Sequence, residues 1–163
     1  MAWTVPWSRV GSVMKRLLWP VLATCTIIAT ASVGAHEGAT GVVAERMAAM
    51  KETAARMKVL DTALKAGSSV TPNMGANAEK IMTQAHSLSG LFPAGSGGGH
   101  SDARAEVWTR REAFEKAMQA FAAESEKLVS AARSGNYAET RRRFREVADQ
   151  CLGCHEKFRA KGH

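Results

Sequence analysis

Apolar residues recur at steps of three and four over four long stretches of this chain, with Gly- or Pro-containing breaks between them. That rhythm marks a helix with one buried face. The first stretch runs from about Thr40 to Ala66 and puts Val43, Met47, Met50, Ala54, Met57, Leu60 and Leu64 on one stripe; Gly67-Ser68-Ser69 closes it. The second runs from about Asn73 to Leu88, through Met74, Ala78, Ile81, Ala85 and Leu88. A segment rich in Gly, Ser and Pro, from Ser89 to Ser101, reads as a loop. The third helix is expected to start at Ser101 or Asp102, either of which can cap it, and to continue to about Arg133. Its face is Phe114, Met118, Phe121, Ser125, Leu128 and Ala132, and Ser134-Gly135-Asn136 breaks it. The fourth runs from about Tyr137 to Ala160, with Tyr137, Phe144, Val147, Cys151, Cys154, His155 and Phe158 on one side.

Short connections set neighbouring helices antiparallel, and four amphipathic helices bury their stripes together. The expected fold is therefore all-α, an antiparallel four-helix bundle. Composition agrees: Ala is abundant, aromatics are only 6% and Tyr occurs once, a mix that suits helices better than sheet. Many stripe positions are Ala or Met. They leave room for a large flat cofactor, and the same pattern also describes a loosely specified core.

The N-terminal residues read differently. Lys15 and Arg16 precede an apolar run from Leu17 to Ile28, small residues follow, and Val33-Gly34-Ala35 resembles a signal-peptidase site. Residues 1–35 are expected to be a signal peptide cleaved after Ala35, with Met14 as an alternative start, leaving 36–163 as the mature chain. The run is short and broken by Pro20, so no stable membrane insertion is expected. A retained anchor is the competing reading, and Leu22-Ala23-Thr24-Cys25 only loosely matches a lipoprotein signal. Cleavage removes Arg9, Lys15 and Arg16 and lowers the net charge from +7 to +4. Without aromatic interleaving or a nucleic-acid motif, that mild charge points to no nucleic-acid partner.

Cys25 leaves with the signal, so Cys151 and Cys154 face an oxidising compartment alone. They belong to Cys151-Leu152-Gly153-Cys154-His155, the C-x-x-C-H spacing of c-type haem attachment. Residues three and four apart share a helix face. The two thiols can thus reach two vinyl groups on one porphyrin edge, and His155 can place its imidazole under the iron as proximal ligand. A zinc site needs about four ligands, and His36, His86, His100 and His163 are scattered. A thioredoxin-like pair belongs at a helix start in a βαβ context. A plain disulfide leaves His155 unexplained.

With this motif at the C-terminal end of an expected bundle, the chain resembles the class II c-type cytochromes, the cytochrome c prime family. Cys151 to Arg159 resembles its C-x-x-C-H-x-x-F-R ending, Ala105-Glu106-Val107-Trp108 its motif ending in Trp, and Leu91-Phe92-Pro93-Ala94-Gly95-Ser96 its F-P-x-G-S loop. Arg46 with Met50-Lys51 resembles an R-x-x-x-M-K segment of the first helix. The resemblance covers nearly all of 38–160. It implies one covalent haem c, with Cys151 and Cys154 as attachment points and His155 as iron ligand. It also puts Met50 on the distal side, where its thioether would be a sixth ligand. Met47 and Met57 are rivals, and a core methionine beside an open iron is the alternative. By the same resemblance Arg46 would pair with a haem propionate, a charge-assisted bond, although a solvated Arg reads equally well. Arg159 would shield the proximal imidazole, and Phe158 and Trp108 would be core residues near the haem.

Two functions follow as expectations. The first is periplasmic electron transfer through His/Met-ligated iron between redox partner proteins. The second is a high-spin relative that binds nitric oxide or carbon monoxide at an open distal site. No acid–base pair or nucleophile stands out, so no enzyme is expected. A homodimer through the first two helices is implied by the resemblance alone.

Overall fold

The computed structural model describes residues 39–98 and 100–160; the signal-peptide, anchor and start-site readings, with His36 and His163, lie outside them. The helices are α1 (Gly41–Ala66), α2 (Pro72–Ser87), α3 (Glu106–Thr109), α4 (Arg111–Arg133) and α5 (Tyr137–Phe158), with a 3-10 turn at Leu88–Leu91. Four of the five are long, and they form the expected all-α bundle. Among the described residues no helix is long and apolar enough to cross a membrane.

Local chemistry sets the boundaries. α2 starts with Pro72, whose missing N–H costs nothing there, and the Thr71 hydroxyl accepts from Met74 N–H at 3.3 Å. Asn136 caps α5 by accepting from Glu139 N–H at 3.0 Å. Between them the chain leaves α4 through Ser134 and Gly135, whose φ of +71° a side chain would resist. The Tyr137 hydroxyl meets the carbonyls of Leu64 and Gly67, the latter at 2.6 Å, and ties the start of α5 to the end of α1.

The core runs along the α2–α4 and α4–α5 contacts, whereas α1 packs on α2 and hardly touches α5. Leu60, Ile81, Leu128 and Val147 are fully buried within it. Phe92, Phe114 and Phe158 close one end, with ring centroids 4.8 and 5.3 Å apart. Phe158 is therefore a core residue, as expected. Trp108 is only half-buried and donates its indole N–H to the Pro93 carbonyl at 2.8 Å.

Three expectations are corrected. The third helix does not start at Ser101 or Asp102. Residues 101–104 are a strap pinned to the C-terminal tail, with Arg104 N–H donating to Phe158 O (2.9 Å) and Ala160 N–H to Asp102 O (2.8 Å). Those same pairs stop α5 at Phe158 rather than Ala160. Helix then begins in two steps, because Arg110 adopts φ −120° and ψ 47° between α3 and α4. On α1, Arg46 and Thr53 take buried positions and Ala54 is exposed, so the stripe is not the purely apolar one its rhythm suggests.

Candidate functional site

The last two turns of α5 carry Cys151, Cys154 and His155 on one face, and all three line a cavity of about 340 Å³. Opposite them, α1 contributes Met50, Thr53, Ala54 and Met57; Leu88, Met118 and Phe121 add apolar walls. The thin contact between α1 and α5 leaves this space. Thr53 adds no free donor, since its hydroxyl is spent on the Ala49 carbonyl at 2.9 Å. Leu152, at 62% exposure, marks the open rim.

The titratable groups rest in neutral form. Burial, reinforced by the neighbouring Cys154, pushes the Cys151 thiol up to about 11. Burial also raises Cys154, against the pull of Lys157. His155 is lowered, first by burial and then by the Arg159 charge, which leaves a neutral imidazole with a lone pair to give. Thioredoxin-like chemistry works through a lowered thiol pKa, and burial moves both thiols the other way. The cysteines are not joined to each other. Among the described residues no cluster of three His, Cys, Asp or Glu is arranged to hold a metal ion directly.

The donor set fits a covalently held haem. Two thiols three residues apart share one face with a neutral imidazole, and the wall they face is apolar, as a porphyrin requires. Met50 and Met57 both line the cavity; Met47 does not. Met118 is a third methionine there, and its place in the α4 apolar rhythm gave no sign that it would face a site rather than core.

Arg46 has another occupation. It is 4% exposed, and its guanidinium donates from Nε to Leu91 O (3.0 Å), from Nη1 to Ser101 Oγ (2.9 Å), and from Nη2 to Ser96 O (3.0 Å) and Ser96 Oγ (2.9 Å). It stacks on Phe92, 4.3 Å from the ring centre, with Trp108 at 5.8 Å. Arginine has five N–H donors, so one Nη1 hydrogen is left without a partner among the described residues. The side chain expected to be solvated or on a propionate is thus first a tether for the 91–101 loop. Gly97 completes that packing, because a Cβ there would sit 2.9 Å from the Trp108 ring. Arg159 pairs with Asp102 at 3.1 Å. Of the remaining histidines, His86 pairs with Glu126 at 2.9 Å and His100 is exposed; neither joins the site.

The family described as Cytochrome C' matches residues 41–159. A cytochrome c' of Rhodospirillum rubrum is 26% identical over 148 residues, covering 90% of this chain and 99% of that protein. One from Pararhodospirillum photometricum is 30% identical over 115 residues, covering 70% and 92%. Among solved structures, a nitric oxide complex of a variant cytochrome c prime from Alcaligenes xylosoxidans superposes with a TM-score of 0.69 at 29% identity, covering 74% of this chain and 94% of that one. A carbon monoxide complex from the same organism gives a TM-score of 0.68 at 29% identity, with the same coverage.

Proposed function

The chain belongs to the cytochrome c' family, whose members carry one covalent haem c, and from that premise we propose that it is an exported haem protein binding nitric oxide or carbon monoxide at its distal face. The carrying observation is the apolar cavity that faces His155 and is open at its rim. Bound there, the haem would supply an iron able to take a diatomic gas, and His155 would be the residue that ligates it. Cys151 and Cys154 hold the porphyrin edge through their sulfurs. Met50, Thr53, Ala54 and Met57 shape the distal wall, and with Thr53 spent on Ala49 that wall favours a small apolar ligand over water. Nitric oxide and carbon monoxide complexes of relatives at 29% identity support this order of readings, which reverses the one reached from sequence.

Electron transfer through His/Met iron is the second reading. One observation favours it: the Met50 side chain lines the same cavity as His155. The leftover Nη1 hydrogen of Arg46 supports a propionate contact in either case. Export to the periplasm rests on the pattern of residues 14–35, and a dimer through α1 and α2 on the resemblance together with the exposed Val59. The protein works by binding, not turnover.

The test is to add carbon monoxide to the reduced holoprotein and record its absorption spectrum, with Met50→Ala alongside. An immediate shift of the wild-type spectrum, with or without a faster one in the variant, supports the open site. A wild-type spectrum that ignores carbon monoxide, beside a variant that responds, would transfer the proposal to His/Met electron transfer.

A further inference from the structure

The distal and proximal sides of the cavity are carried by different helices, α1 and α5, that hardly touch. A single hydroxyl links them through the strap. Ser101 Oγ accepts from Arg46 Nη1 at 2.9 Å, one turn before Met50 on α1. The same oxygen accepts from Ala103 N–H at 3.2 Å. Ala103 is bridged antiparallel to Arg159. Arg159 N–H in turn donates to the His155 carbonyl at 3.0 Å. Pairs on either side, Arg104 to Phe158 O and Ala160 to Asp102 O, hold the tail in register with the strap.

We infer that Ser101 is a positioning residue for the haem site: its hydroxyl fixes the strap between Arg46 and the α5 tail, and so sets how far the His155 turn stands from the Met50 turn. The reasoning is geometric. A hydroxyl oxygen offers two lone pairs, and both are occupied here, one by Arg46 of α1 and one by the Ala103 N–H of the strap that pairs with the tail. The last turn of α5 otherwise ends in a free tail, whose carbonyls would fray. Ser96 provides the internal comparison. Its hydroxyl also accepts from Arg46, at 2.9 Å, and donates to Pro93 O at 2.8 Å, yet it makes no bond to the tail. Ser96 anchors the loop alone, whereas Ser101 holds the turn of the strap whose backbone, at Asp102 and Arg104, pairs with the proximal helix end.

This inference rests on the haem reading, so the experiment begins by confirming covalent haem in the wild-type holoprotein by mass; its absence would sink both, whereas covalent haem with unchanged readouts in the Ser101 variants would sink this inference alone. Ser101→Ala and Ser96→Ala are then compared with wild type for the iron–histidine stretching frequency of the reduced protein, the midpoint potential, and amide hydrogen exchange. Ser101→Ala should keep its covalent haem, shift the iron–histidine frequency and the potential, and lower protection of the Arg104 and Ala160 amides about tenfold, the scale of one lost hydrogen bond. Ser96→Ala should leave all three unchanged. The isosteric pair Ser101→Thr and Ser101→Val differs only by hydroxyl for methyl; Thr should match wild type and Val should match Ala, which keeps the test usable if Ser101→Ala does not fold. Wild-type frequency, potential and exchange in Ser101→Val, or equal changes in Ser96→Ala, would overturn the inference.

Discussion

Where α1 stops and α5 starts, the bundle is sealed: Leu64, Met74, Ala78 and Leu128 are buried, and the Tyr137 hydroxyl closes the end on the Leu64 and Gly67 carbonyls. Where α5 stops, the same three-and-four rhythm leaves about 340 Å³ between Met50 and Met57 on one side and Cys151, Cys154 and His155 on the other. The patterns are alike and the outcomes opposite. A repeating apolar stripe reports that a helix face is turned inward; it does not report whether another side chain or a cofactor meets it. Flexible Met walls suit the second case because they adjust to a rigid partner.

The largest effect that would break this contrast lies at the open end. Replacing both Cys151 and Cys154 by Ala should abolish covalent attachment, so that acid–acetone extraction strips all haem from the variant and none from wild type. Haem retained through that extraction would place the attachment elsewhere. Next comes packing. Leu128, with 0% exposure, should cost about 3 kcal/mol in unfolding free energy when cut to Ala. Met57→Ala, half-buried at the cavity, should cost less than about 1 kcal/mol. Equal losses in denaturant titrations would mean that the two ends are packed alike.

The smallest effect is electrostatic and belongs to the sealed end. The Glu139 carboxyl, held first by its hydrogen bond from Arg142 and then by Arg143, drops to about 2 from an ordinary 4.5. Its folded value lies below its unfolded one, so its contribution is present above about 4.5 and is lost as pH falls through about 2. Glu139→Gln should flatten the fall of the denaturation midpoint over that window and leave haem spectra untouched. The group is exposed and screened, so the change should be small. An unchanged acid slope would remove Glu139 from the acid response.

Much of this was legible in the sequence, and the exceptions have a common cause. The C-x-x-C-H spacing and the helix periods are local, and local chemistry produces them; the caps at Thr71 and Asn136 are local too but were not read. The strap at 101–104 was read as helix because Ser and Asp cap helices well. What makes it extended is backbone pairing with residues 158–160, more than fifty positions away, which no local signal carries. Arg46 read as a solvated side chain for the same reason. A buried guanidinium needs several acceptors, and three of its four bonds go to oxygens of Ser96 and Ser101, in a loop whose path one sequence does not reveal. The open cavity was only half legible: the small and flexible stripe residues suggested it, but the loose α1–α5 contact that creates it is a property of the assembled bundle.

The most direct measurement is a crystal structure of the reduced holoprotein. It should place one haem between α1 and α5, bonded to the sulfurs of Cys151 and Cys154 and ligated by His155, with no protein atom bound to the iron from the α1 side. A bond from the Met50 sulfur to the iron would contradict the open site, and a haem lying outside the cavity would contradict the account as a whole.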